Sequence, residues 1–156
     1  YLKKLNIEGE IQLIDKKAQI VDLVDLVDLD AGDLLFIDST HTVKVGSEVN
    51  RIILEVLPRL KKGVLIHFHD VFFPYDYQRN INSTPFFWSE SSLLHSFLIN
   101  NDQFVIRVAQ SMLHYEAKDF LKETFPNYNP QFEDYGIPIN LSEDTHFPSS
   151  IYLEVI

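Results

Sequence analysis

Residues 32–41 read Gly32-Asp33-Leu34-Leu35-Phe36-Ile37-Asp38-Ser39-Thr40-His41, and residues 63–74 read Gly63-Val64-Leu65-Ile66-His67-Phe68-His69-Asp70-Val71-Phe72-Phe73-Pro74. Each stretch is a short apolar run that ends in residues able to bind a proton or a metal. Between them Val49, Ile52, Ile53, Val56, Leu57 and Leu60 fall at i, i+3, i+4, i+7, i+8 and i+11, one stripe of an amphipathic helix. Ser47 is placed to cap that helix, Pro58 interrupts its ladder late, and Gly63 closes it. A strand, a helix and a second strand make a crossover unit, which joins parallel neighbours. Both carboxyl ends then emerge at one edge, so Asp38, His41, His69 and Asp70 are expected to meet there. Open α/β sheets take their ligands at that edge.

Leu34–Ile37 is a continuous apolar run of the kind shown by a strand buried on both faces. Upstream, residues 10–14 (Glu-Ile-Gln-Leu-Ile) alternate polar and apolar, the pattern of a short strand. Residues 19–29 repeat Val-Asp-Leu, which suits a surface helix or turn over the sheet. A calcium loop from Asp22, Asp25 and Asp28 fits poorly, because the residues between them are apolar. Downstream, residues 71–89 hold Phe72, Phe73, Tyr75, Tyr77, Phe86, Phe87 and Trp88 among prolines, without a clean period. They read either as a lid and substrate wall or as aromatic cover for the core. An amphipathic helix is expected over residues 90–100, a strand over 104–109, a second helix over 111–125 ending near Pro126, a polar loop over 127–148, and a closing strand over 150–156. The last two strands are expected to pair antiparallel.

At 156 residues the chain fits one domain, 1–156. A hydrophobic content of 46% argues against disorder. A net charge of −10 argues against a nucleic-acid or anionic-membrane partner. No apolar run approaches the roughly 18 residues of a membrane span, and residues 1–10 lack the apolar core of a signal peptide. Cysteine is absent, which excludes disulfides and thiolate metal sites. Cytoplasmic location is the default expectation. The opening Tyr1-Leu-Lys-Lys-Leu resembles the last turn of a helix already under way, so the chain reads as a fragment.

Asp38 ends an apolar strand and needs a partner there. With His69 and Asp70 it makes a set of carboxylates and imidazole that suits Mn, Fe or Zn, or Mg with waters. The alternative is a hydrogen-bonded His-Asp pair that ties the strand ends. His41 lies three residues past Asp38. It reads as a general base, since its ordinary pKa is near neutrality, or as a turn histidine on backbone groups. His67 shares the parity of His69 and is expected to be a satisfied core histidine rather than a ligand. His95, His114 and His146 show no partner pattern. No glycine-rich phosphate loop or Gly-x-Ser-x-Gly turn occurs.

Taken together, Asp33-Leu-Leu-Phe-Ile-Asp-Ser-Thr-His, the helix ending Leu57-Pro-Arg-Leu-Lys-Lys-Gly, and Val64-Leu-Ile-His-Phe-His-Asp-Val-Phe-Phe-Pro resemble class I S-adenosylmethionine-dependent methyltransferases. The closest branch ends its fourth strand in Ile-Asp-Gly-x-His and its fifth in His-Asp, and residues 149–153 resemble the family's last strand. The resemblance implies a doubly wound, Rossmann-like, mostly parallel α/β sheet with an antiparallel last strand, of which this chain carries the third strand onward. It implies S-adenosylmethionine as cofactor and methyl transfer to a hydroxyl of a small molecule, a sugar or a similar metabolite, assisted by Mg or another divalent metal. Carried over, the metal positions are Asp38, His69 and Asp70, the catalytic base is His41, and Gln19 and Asp38 lie on the cofactor side. Ser39 stands where the branch has glycine, and His69 where an acid is usual. The glycine-rich first-strand loop and the ribose-binding acid of the second strand would precede Tyr1.

Two other classes compete. One is a catalytically incompetent methyltransferase-like domain that self-associates as a homodimer through an open strand edge. The other is a metal hydrolase using His67, His69 and Asp70.

Overall fold

The computed structural model describes residues 11–75, 88–130 and 147–156. β1 (Leu34–Ile37) and β2 (Leu65–His69) pair in parallel, with Leu34 opposite Leu65 and Ile37 opposite Phe68. β4 (Ser150–Val155) runs antiparallel between β2 and β3 (Phe104–Ala109), giving the order β1-β2-β4-β3. Three strands therefore point one way and the last strand is reversed. This is the α/β, Rossmann-like mixed sheet expected from the sequence.

The chain between β1 and β2 is helical, as its stripe predicts, but not uniform. We label it α2: an α-turn over Glu48–Arg51, a π-turn over Ile52–Val56 and a 3-10 turn over Leu57–Arg59. Ser47 caps it by accepting from the Asn50 N–H at 3.2 Å. Pro58 has no N–H to give to the carbonyl four residues back. Just before it the ladder widens, and Leu57 N–H donates to Ile52. Gly63 then turns the chain into β2 with φ +86°, and a Cβ there would stand 2.7 Å from Ala31 Cβ. Its position combines a left-handed backbone with a close approach, and glycine meets both demands.

Before the sheet lie a 3-10 turn (Ala18–Ile20) and α1 (Leu23–Val27), in agreement with a surface helix or turn for the Val-Asp-Leu repeat. α3 (Glu90–Leu98) follows β2. The helix expected over residues 111–125 is two: α4 (Gln110–Glu116) and α5 (Lys118–Thr124). Ala117 between them leaves helical geometry at φ −143°, ψ 45°. The strand expected over residues 10–14 is not formed in its described part: residues 11–15 carry no strand, and Leu13 is 71% exposed. Alternation alone supplied no neighbour to pair with.

Ile37, Ile66, Phe68, Ile151 and Leu153 share one face of the sheet and pack into a single buried cluster with Val49, Ile53, Val56 and Leu57 of α2 and Leu94 of α3. The opposite face is open at β1 among the described residues. Leu34 and Phe36 are 51% and 53% exposed, which corrects the expectation of a strand covered on both faces. No helix among the described residues is long and apolar enough to cross a membrane.

Candidate active site at the carboxyl edge of β1 and β2

Asp38 is the first residue after β1, and His69 and Asp70 are the last residue of β2 and the one after it. Because the strands are parallel and adjacent, the three meet at one rim. His69 Nδ1 lies 3.9 Å from Asp38 Oδ1 and 3.2 Å from Asp70 Oδ1. Ser149, just before β4, donates its hydroxyl to Asp70 Oδ1 at 2.8 Å. His41 reaches the same place from the loop after β1, its Nε2 3.8 Å from Asp38 Oδ1 and 3.7 Å from Asp70 Oδ2.

The loop that delivers His41 is braced from two sides. On one side Glu48, buried at the start of α2, accepts the Thr40 N–H at 2.9 Å and the Gln19 amide at 2.8 Å. Burial works against the Glu48 charge, but hydrogen bonds from Thr40 and its own backbone N–H, helped by Lys44, hold its carboxyl below the usual range. On the other side stands the first turn of α3. Glu90 Oε2 lies 2.8 Å from His41 Nδ1, Ser39 donates its hydroxyl to Glu90 Oε1 at 3.2 Å, and Val43 N–H donates to Ser89 at 2.9 Å. Trp88 lies against the His41 ring, centroids 4.9 Å apart, and stacks at 5.9 Å on Phe72.

His41 is buried, and burial is the largest single influence on it, pushing its pKa down. The Glu90 hydrogen bond and charge, then Asp70 and Asp38, outweigh that and raise the pKa above the ordinary 6.5. Both His41 and Asp70 hold left-handed backbone, φ +56° and +57°. Such conformations in non-glycine residues concentrate at functional sites.

The donors at this rim include one group that could hold a metal ion. Asp38, His41 and Asp70 each offer an atom, all within 4.8 Å of one another. His69 Nδ1 is buried without a hydrogen bond of good geometry, though two carboxylate oxygens lie near it. An imidazole nitrogen left unpaired beside carboxylates is a ready ligand for Mn, Fe or Zn. His67 does not join this group. It stacks on Tyr152 at 4.1 Å and tilts against Phe36 at 4.9 Å, so it sits among rings on the open face of the sheet.

Gln19 lines a polar cleft of about 440 Å³ beside α2 with Ser47, Asn50 and Arg51. Asn50 Oδ1 is buried there without a partner. Of the aromatic stretch, Tyr77, Phe86 and Phe87 lie outside the described residues, as does most of the polar loop over 127–148. Phe72 is buried between Trp88 and Phe147, which is core cover rather than a free wall.

Sequence reasoning did not single out Glu90, Glu48 or Ser149. The local signal at Glu90 and Glu48 was an acid in the first turn of a helix, a common feature. Their significance depends on contacts with residues far along the chain.

Residues 2–71 match the family model described as a methyltransferase domain. The matched segment contains β1, α2 and β2, and with them Asp38, His41, His69 and Asp70. No curated protein and no solved structure matches the chain. The family match supports a methyltransferase domain, and in general terms methyl transfer from S-adenosylmethionine.

Proposed function

We propose that the chain carries out S-adenosylmethionine-dependent methyl transfer to a hydroxyl of a small molecule, with His41 as the base. The observation that carries this reading is the aim of the His41 ring: Nδ1 is taken by Glu90, which leaves Nε2 facing Asp38 and Asp70 at the rim. A hydroxyl held there gives its proton to Nε2, and its oxygen becomes the nucleophile. S-adenosylmethionine, when bound, supplies a methyl group on a sulfonium, open to in-line attack. A divalent ion, when bound, supplies positive charge that favours the deprotonated hydroxyl. Asp38, His69 and Asp70 are the residues assigned to the ion; His41, the third donor of the group with Asp38 and Asp70, is kept for the proton. Gln19, in the polar cleft beside α2, and Asp38 are assigned to the cofactor side. Trp88 and Phe72 keep water from one side of His41.

The test is calorimetric titration of the full chain with S-adenosylmethionine, followed by transfer of labelled methyl to a panel of sugars and other small alcohols, with and without Mg or Mn. Expected are saturable binding and transfer that falls by about 100-fold or more in His41→Ala, the usual range for a general base. Absence of binding, or full transfer by His41→Ala, would reject the reading.

Exposed Leu34 and Phe36 favour a second reading, self-association through the open face. Sedimentation showing a dimer that takes up no S-adenosylmethionine would favour it over the first.

A further inference from the structure

We propose that Glu90 is a positioning residue for His41, fixing the neutral ring as its Nδ1–H form so that the Nε2 lone pair faces the acceptor. This rests on the reading of His41 as base. Glu90 lies outside the segment that matches the methyltransferase domain, and nothing in that match bears on it.

A carboxylate oxygen accepts and does not donate, so at 2.8 Å from Glu90 Oε2 the His41 Nδ1 must carry the hydrogen. The opposite nitrogen is then the acceptor in the neutral ring, and it is the one 3.7 Å and 3.8 Å from the rim aspartates. Glu90 is only 1% exposed, so water does not compete for it. Both its oxygens are engaged, the second by the Ser39 hydroxyl. Its backbone also ties to the same loop: Glu90 N–H donates to the His41 carbonyl at 3.2 Å. The ring and the residue that bears it are thus held by one side chain and one peptide of α3. A helix's first turn is a favourable place for a carboxylate, but a surface acid would serve that purpose equally. A buried one aimed at a histidine has a more specific use. Ser39, where the branch pattern has glycine, supplies the hydroxyl that keeps Glu90 from rotating away.

Glu90→Gln preserves the shape and removes the obligate acceptor. The amide can present N–H to Nδ1, which favours the other tautomer and turns the lone pair inward. In the related logic of a serine-protease triad, the corresponding amide substitution costs about 10⁴ in rate. Here we expect kcat to fall by about 100-fold or more with KM within about 3-fold, while the melting temperature stays within a few degrees. Nitrogen NMR of labelled histidine reads the same point without activity. In the native chain the neutral His41 ring shows a protonated Nδ1 and an unprotonated Nε2, with a downfield Nδ1 proton; in Glu90→Gln that pattern is lost.

Two results would overturn the inference: a native spectrum with the proton on Nε2, or a Glu90→Gln enzyme with kcat within about 3-fold of native. If Glu90→Gln does not fold, the native spectrum alone decides the tautomer. If Glu90→Gln is fully active while His41→Ala is dead, only the positioning role falls. If His41→Ala is itself fully active, it is the base assignment that falls.

Discussion

The two faces of the sheet are built by alternate residues of the same strands, yet they lead different lives. Ile66 and Phe68 point into a cluster sealed by α2 and α3, while Leu65, next to Ile66 in sequence, and Phe36, next to Ile37 on the neighbouring strand, face outward and stay 36% and 53% exposed. An apolar run in a strand thus reports that the strand is apolar, and does not report how many of its faces are covered.

Phe68→Ala tests the difference most severely. It should cost about 3–5 kcal/mol by urea or guanidinium denaturation, the range for a large ring lost from a packed core. Phe36→Ala should cost under about 1 kcal/mol by the same measurement. Equal costs would mean that the open face is covered in solution, which favours the self-associating reading.

At the rim, Glu48→Ala should cost about 1–3 kcal/mol, because it leaves the Thr40 N–H without its acceptor in a part-buried loop. Calorimetric stability and His41-dependent transfer should fall together, since the same brace holds the loop.

The two histidines that mark rim and face should respond oppositely to pH in metal-free protein. His41 has a folded-state pKa above 6.5, so its stabilisation is complete below pH 6.5 and is lost as pH rises through that higher value. His67 is held below 6.5 by burial and then by the neighbouring His69, so it opposes folding as pH falls below 6.5. His41→Asn should remove a gain in the urea midpoint that develops as pH is lowered toward 6.5. His67→Phe should make the chain less sensitive to acid below it. A common direction for both would mean that rim and face share one environment.

The mildest change is Leu34→Ser, expected within about 0.5 kcal/mol of native on the exposed edge strand.

Much of this architecture was legible from local pattern. Two apolar runs and one helical stripe gave the parallel pair, and the position of Asp38, His69 and Asp70 at strand ends gave the rim. What escaped is what local pattern does not encode. Glu90 meets His41 across 49 positions and Ser149 meets Asp70 across 79. The break at Ala117 and the widened turn over Ile52–Val56 lie inside stretches whose apolar spacing looks uniformly helical. The alternation over residues 10–14 resembled a strand because side-chain period is only half of what a strand requires, the other half being a hydrogen-bonded neighbour.

The left-handed backbone at His41 and Asp70 carries a consequence for anyone who alters this protein. Histidine and aspartate are among the side chains that accept that conformation best, after glycine and asparagine, and β-branched residues accept it worst. Libraries at these two positions should therefore be narrow: valine or isoleucine will fail for reasons of chain geometry before chemistry is consulted. Glycine at residue 41 would relax the backbone but leave the buried Glu90 carboxylate without its imidazole partner, so the protein should be silent and no more heat-resistant: shape and charge make opposite demands at that single residue.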